Sequence, residues 1–70
     1  MTNPHIHSHC NLAFTVKLSK AEDGQWHGYS MFDFGWTVEQ VAGLPAPGKR
    51  QAYLNALQAG RRYAGVAGTL

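Results

Sequence analysis

The chain has 70 residues, of which 44% are hydrophobic and 14% are charged, and its formal net charge is +2 with neutral histidines. This length predicts one domain, residues 1–70, and the hydrophobic content argues against general disorder. The low charge density disfavours a dedicated nucleic-acid binder, because such proteins usually carry a denser basic surface. No apolar run is long enough to span a bilayer, and residues 1–10 lack the plan of a secretory signal. We therefore expect a cytoplasmic protein that does not engage a membrane, and a single cysteine fits that expectation.

The N-terminal residues carry histidine at every second position: His5, His7 and His9. We predict that residues 1–9 form an arm that is either flexible or an upstream extension of the first strand. On a strand, residues two apart point to the same side, about 6–7 Å apart, so two imidazoles can share a metal ion. The three histidines are thus candidate ligands for zinc, copper or nickel, whereas Cys10 points to the opposite side. The alternative is a flexible histidine-rich end that binds metal weakly and without function.

Residues 10–36 are predicted to form the β-hairpin around which the chain is organised. Apolar side chains alternate along its first arm, at Leu12, Phe14, Val16 and Leu18. This period of two is typical of a strand with one buried face. The turn at residues 22–24 suits a three-residue loop whose last residue, Gly24, is left-handed.

This turn sets the register of the hairpin. It pairs Leu18 with Gly28 and Val16 with Ser30, and it places the even-numbered side chains of both arms on one apolar face. If the N-terminal arm extends the first strand, Cys10 lies opposite Trp36.

Residues 37–65 are predicted to be helical, as a short helix followed by a longer one. Residues 37–40 have the form of a capping box, and Gly43 is a suitable C-terminal stop. Beyond Pro45 and Pro47, the second helix is expected from about Lys49 to about Ala64, and residues 66–70 are expected to fray. Its apolar face comprises Tyr53, Ala56, Leu57, Gly60 and Ala64, and the glycine permits close packing on the sheet. The predicted fold is therefore α+β, with a hairpin packed against a short and a longer C-terminal helix (ββαα).

Aromatic and methionine side chains are the first candidate interface. One helix cannot cover every large apolar side chain of the hairpin, and aromatic residues and methionine are enriched at protein interfaces. The candidate interface residues are Trp26, Tyr29, Met31 and Trp36. The alternative is that Trp26 and Trp36 form the rim of the core.

Basic residues in the second helix are the other candidate surface: Lys49, Arg50, Arg61 and Arg62. They could contact phosphates or an acidic protein patch. The alternative is that Arg61 and Arg62 stabilise the helix end and aid solubility.

No catalytic set can be completed from these residues, so we predict a non-enzymatic protein without a resident cofactor. The favoured function is a small protein-binding module that acts as a regulator, adaptor or inhibitor of a larger protein. An inhibitor encoded by a phage or mobile element fits the size, although no motif supports that source. We also expect a homodimer, because a domain this small has a thin core. The alternatives are a metal-binding or metal-sensing protein and a weak nucleic-acid binder.

Overall fold

The computed structural model describes residues 6–67. Within this range the chain forms four strands and one helix: β1 (Ile6–His9), β2 (Leu12–Lys20), β3 (Trp26–Asp33), β4 (Val38–Ala42) and α1 (Lys49–Ala67). The strands form an antiparallel sheet in the order β1-β2-β3-β4, and α1 packs across one face, mainly on β3 and β2. The α+β class is confirmed, but the ββαα layout is wrong because the described residues contain one helix.

The central hairpin has the predicted register. Leu18 pairs with Gly28 and Val16 pairs with Ser30. In the turn, the Gly24 N–H donates to the Ala21 carbonyl at 3.0 Å, and Gly24 has a φ of +81°. Glycine adopts this left-handed conformation without a Cβ penalty, so the loop closes as expected.

The predicted upstream extension of the first strand is wrong. Cys10 and Asn11 have φ values of 52° and 66°, so the chain reverses there and β1 pairs back on β2, with His9 opposite Leu12. Left-handed φ at both central residues is the pattern of a two-residue type I′ turn. Cys10 therefore does not lie opposite Trp36. Pairing with β1 satisfies backbone groups at the edge of β2 that would otherwise be open.

The predicted short helix after Phe34 is also wrong, because residues 38–42 form β4. A tight turn precedes it, in which the Phe34 N–H donates to the Thr37 carbonyl at 2.9 Å. The turn returns the chain beside β3, where strand pairing competes with the capping box. Val41 then packs against the core, which a β-branched residue on a pleated surface does well.

Close packing of α1 on the sheet matches the prediction. Its buried residues recur every fourth position, at Ala52, Ala56, Gly60 and Ala64. The hydroxyl of buried Ser30 donates to the Ala56 carbonyl at 2.6 Å and links sheet to helix. The helix runs to Ala67, past the predicted end, so Val66 and Ala67 are helical, while residues 68–70 lie outside the described range.

Candidate functional site

Trp36 is the most exposed large hydrophobic side chain among residues 6–67, with 85% of its surface accessible. It lies in the turn between β3 and β4. The Asp33 carboxylate accepts a hydrogen bond from the Gly35 N–H at 2.9 Å, and Gly35 has a φ of +91°. The positive φ of Gly35 and the Asp33 hydrogen bond therefore both favour this turn.

Stacked rings support the Trp36 indole from beneath. Its centroid lies 6.0 Å from that of Phe34, and the two rings are inclined by 27°. Phe34 in turn stacks on Phe32 at 6.3 Å, and Phe32 is fully buried in the core. Trp36 is thus the outer end of an aromatic series that begins in the core. We call residues 33–37, with the ring of Trp36, the Trp36 turn.

The other three residues of the predicted interface lie elsewhere. Trp26 is half-buried on the α1 side of the sheet, where the Lys49 ammonium lies 5.4 Å from its ring centroid. Its backbone exchanges hydrogen bonds with Ala46. Tyr29 and Met31 are half-buried on the opposite side of the sheet. The structure therefore does not bring the four residues together into one surface.

Two of the three N-terminal histidines fall within the described residues. His7 Nε2 lies 2.5 Å from the Tyr53 hydroxyl, and the His7 ring packs against Phe14 with centroids 5.5 Å apart. His9 shares its side of β1 and is exposed, while His5 lies outside the described residues. Between residues 6 and 67, no group of three histidine, cysteine, aspartate or glutamate side chains is placed to hold a metal ion. Metal binding through His5, His7 and His9 stays a prediction.

The basic residues of α1 form two separate pairs. Lys49 and Arg50 begin the helix, and Arg61 and Arg62 lie in its second half, with all four exposed. At about 1.5 Å rise per residue, the pairs are about 18 Å apart along the helix. Because α1 ends at Ala67, its last turn carries no basic residue. Arg61 and Arg62 are therefore too far from the C-terminus for the predicted stabilisation of the helix end to be strong.

Electrostatics also contribute to the turn between β2 and β3. Asp23 accepts a hydrogen bond from the Gln25 N–H at 2.8 Å, and this bond is the main cause that lowers the Asp23 pKa from its ordinary 3.8. Asp23 also lies 3.5 Å from His27 Nε2. Because the pKa is lowered on folding, the ionised carboxylate stabilises the turn fully at pH values above its ordinary pKa. That contribution is lost as the pH falls through the lowered pKa.

The sequence reasoning missed the residues that order Trp36. Asp33 precedes Gly35 by two positions, and this Asp-x-Gly spacing is typical of an Asx turn. The same spacing occurs at Asp23 and Gln25, where the side chain likewise accepts from the backbone two residues on. Reading that signal at Asp33 would have predicted a turn at residues 33–37 in place of a helix start.

Comparisons with known proteins found no matching family model, no similar curated protein and no similar solved structure. Among the described residues, no helix is both long and apolar enough to cross a membrane.

Proposed function

We propose that this chain is a small, non-enzymatic protein-binding module that regulates, links or inhibits a larger cytoplasmic protein, and that Trp36 is its anchor. The observation that carries the proposal is the 85% exposure of an indole that is stacked on Phe34 and lies in a hydrogen-bonded turn. Nothing within the described fold requires a tryptophan to be held in this way.

An ordered and exposed tryptophan has the properties of an interface hot spot. Hot spots are enriched in tryptophan, and truncating one to alanine removes at least about 2 kcal/mol of binding free energy. A side chain that is already fixed in its bound conformation avoids the entropy loss of ordering, about 0.5–1.5 kcal/mol for a flexible one. The aromatic stack and the Asp33 hydrogen bond supply that fixation before binding.

The chemistry of Trp36 describes the surface that would receive it. An indole presents a large apolar ring with one N–H donor, so the partner needs an apolar pocket with a hydrogen-bond acceptor at its edge. Val38 is 52% exposed two residues further along the chain and adds apolar surface next to the turn. The proposed partner is therefore a folded protein with a pocket and not an extended peptide.

The metal-binding and nucleic-acid alternatives have less geometric support. His7 already contacts Tyr53, and the two basic pairs of α1 do not form one continuous patch. Replacing His5, His7 and His9 by alanine separates the metal alternative from protein binding, because the proposed partner contact does not involve these residues. Replacing Arg61 and Arg62 by alanine separates the nucleic-acid alternative in the same way.

The first test is affinity capture from a lysate of the source cells with Trp36→Ala. We expect the wild-type chain to retain a partner that the variant loses. The affinity of Trp36→Ala for that partner should be about 30-fold weaker, which is equivalent to about 2 kcal/mol. Leu44→Ala is the matched control, because Leu44 is 76% exposed but lies outside the Trp36 turn. Quantitative mass spectrometry of the retained proteins provides the readout.

Folding must be the same in all three samples for this comparison to hold. Because Trp36 is highly exposed, its removal should change the free energy of unfolding by no more than about 0.5 kcal/mol. Equal retention of the partner by the wild type and Trp36→Ala would contradict the proposal. Loss with Leu44→Ala instead would place the anchor elsewhere.

A further inference from the structure

Within residues 6–67, the one helix packs on a single face of the sheet, so no described helix covers the opposite face. It carries a shallow groove of about 620 Å³, whose lining includes Ile6, Thr15, Lys17, Met31, Asp33 and Val38. We call these six side chains the uncovered face. Ile6 is 67% exposed, and Met31 is half-buried at the centre. Across its middle row, Ile6 and Met31 alternate with Thr15 and Gln40, so the centre of the face is uncharged and half of its side chains are apolar.

Two opposite charges lie symmetrically about that middle. Thr15 pairs with Met31, and Lys17 and Asp33 each lie two residues from this pair, in opposite directions along the sheet. Each charge is thus about 7 Å from the pair along the strands. Among the described strand residues, Lys20 and Glu39 belong to the α1 side, because they pair with Trp26 and Phe32.

The other titratable groups at the Lys17 end are Tyr29 and His27 of β3 and Asp23 of the neighbouring turn. His27 lies one pair beyond Tyr29 on the uncovered side and faces Asp23 at 3.5 Å. Asp23 lies beyond the end of β2, about 17 Å or more from the Thr15–Met31 pair along the strand direction. The central part of the face therefore carries one positive and one negative charge.

We propose that the uncovered face binds a second copy of this chain, related by a two-fold axis that crosses the strands at the Thr15–Met31 pair. Such an axis exchanges the two ends of the face. Asp33 of each copy therefore lies over the end of the other copy that carries Lys17. Stacked sheets are about 10 Å apart and neighbouring strands about 4.8 Å apart, which a lysine side chain can bridge. Two equivalent Lys17–Asp33 pairs then flank the uncharged centre.

The two charges also favour this axis over a two-fold axis parallel to the strands. A two-fold axis along the strands would keep each end of the face over the same end of the partner. The two Asp33 carboxylates would then lie side by side, and the two lysines likewise. Like charges placed together at an interface disfavour that arrangement.

The size of the face sets the expected strength of the dimer. Four strands at about 4.8 Å and three residue pairs at about 7 Å cover roughly 400 Å² in projection, so two copies bury about 800 Å² in total. That is near the lower limit for a specific interface, and we expect a dissociation constant in the micromolar range. The interface does not use the Trp36 ring but shares Asp33 and Val38 with the surface beside it. Its test measures self-association alone, so its outcome is separate from that of the proposed function.

The test is sedimentation equilibrium of the full chain with Lys17→Gln, Asp33→Asn and the double variant. The amide introduced by Asp33→Asn keeps an oxygen for the Gly35 hydrogen bond and removes the charge. Each single variant should weaken the dimer about fivefold, and the double variant should weaken it by the same factor, because either change already removes both pairs. Lys20→Gln is the matched control on the other face and should leave the dissociation constant unchanged.

Met31→Glu tests the centre of the face. At a protein concentration 100 times the wild-type dissociation constant, this variant should remain a monomer, and its circular dichroism spectrum should be unchanged. A wild-type chain that stays monomeric at millimolar concentration would overturn the proposal. So would a dimer that tolerates Met31→Glu, since its interface would then lie elsewhere. Additive losses in the double variant would overturn the proposed axis.

Discussion

Cys10 and Asn11 adopt left-handed backbone conformations with φ values of 52° and 66°. For a residue with a Cβ, this region costs about 1–2 kcal/mol, although asparagine offsets part of the cost through local hydrogen bonds. The cost at Cys10 is offset because the turn allows β1 to pair with β2 and brings His7 into contact with Tyr53. The residue itself is exposed, so its side chain has no packing role that opposes replacement.

Cys10→Asn should therefore stabilise the protein by about 0.5–1 kcal/mol, because asparagine is favoured in type I′ turns. Urea unfolding followed by circular dichroism measures the change. Cys10→Val is the contrasting variant, since a β-branched side chain is disfavoured at positive φ, and it should lower the free energy of unfolding. A loss of stability with asparagine would mean that Cys10 is not left-handed in solution.

These single residues show why one turn could be predicted and another could not. Gly24 follows Glu22 and Asp23 in a pattern that is typical of a three-residue hairpin loop, and the structure confirms it. Cys10 and Asn11 include no glycine, and the alternation of polar and apolar residues continues through them. Only the energy gained by pairing β1 with β2 decides that turn, and that energy comes from residues distant in sequence.

At the scale of elements, α1 lies unusually close to the sheet because its buried positions are alanine or glycine. A Cβ on Gly60 would come within 2.7 Å of the Phe14 ring, and one on Gly28 within 2.8 Å of the Ala56 side chain. Small residues on both elements therefore permit the Ser30 hydroxyl to reach the Ala56 carbonyl.

Gly60→Ala should destabilise the protein by about 1–3 kcal/mol, because overpacking outweighs the roughly 1 kcal/mol gained in helix propensity. Gly65→Ala is the matched control in the same helix, since its Cβ would meet nothing within 4 Å. That variant should gain about 0.5–1 kcal/mol. Thermal unfolding of the two variants measures the sign of each change in stability. If Gly60→Ala stabilised the protein, α1 would not pack this closely on the sheet.

The elements also show where local patterns lose to tertiary contacts. The face of α1 was predictable from its spacing, and so was the register of β2 and β3 from the even-numbered apolar residues. Residues 37–40 match a capping box, yet β4 forms because the Asp33–Gly35 hydrogen bond and the Phe34–Thr37 turn return the chain along β3. The capping pattern is short, and four residues carry too little propensity to resist a paired strand.

For the whole molecule, the structure separates two surfaces that the sequence reasoning combined. Met31 and Tyr29 lie on the uncovered side of the sheet, while Trp36 lies beyond the end of β3. If the uncovered face forms the dimer, its two-fold axis directs the two Trp36 turns towards opposite ends. Each Trp36 ring then lies outside the dimer interface, whereas Val38 contributes to the edge of both surfaces.

The aromatic interface candidates could be identified from residue type, but which of them share a surface depends on the fold. Trp26 and Trp36 look alike in the sequence, but in the structure the first is half-buried beneath Lys49 and the second is 85% exposed. The support that Phe34 gives to Trp36 depends on the turn at Gly35, which the predicted helix excluded. Recognising that turn from the Asp-x-Gly spacing would have separated the two tryptophans.

The most direct measurement is photo-crosslinking in the source cells with a benzophenone amino acid in place of Trp36. We expect a covalent adduct with one other protein, formed at position 36 and not when the same group replaces exposed Leu44. Mass spectrometry of the adduct identifies the partner and the pocket that receives the ring. Adducts that are equally abundant and equally diverse at both positions would contradict a specific anchor at Trp36, and with it the account of this chain as a protein-binding module centred on that residue.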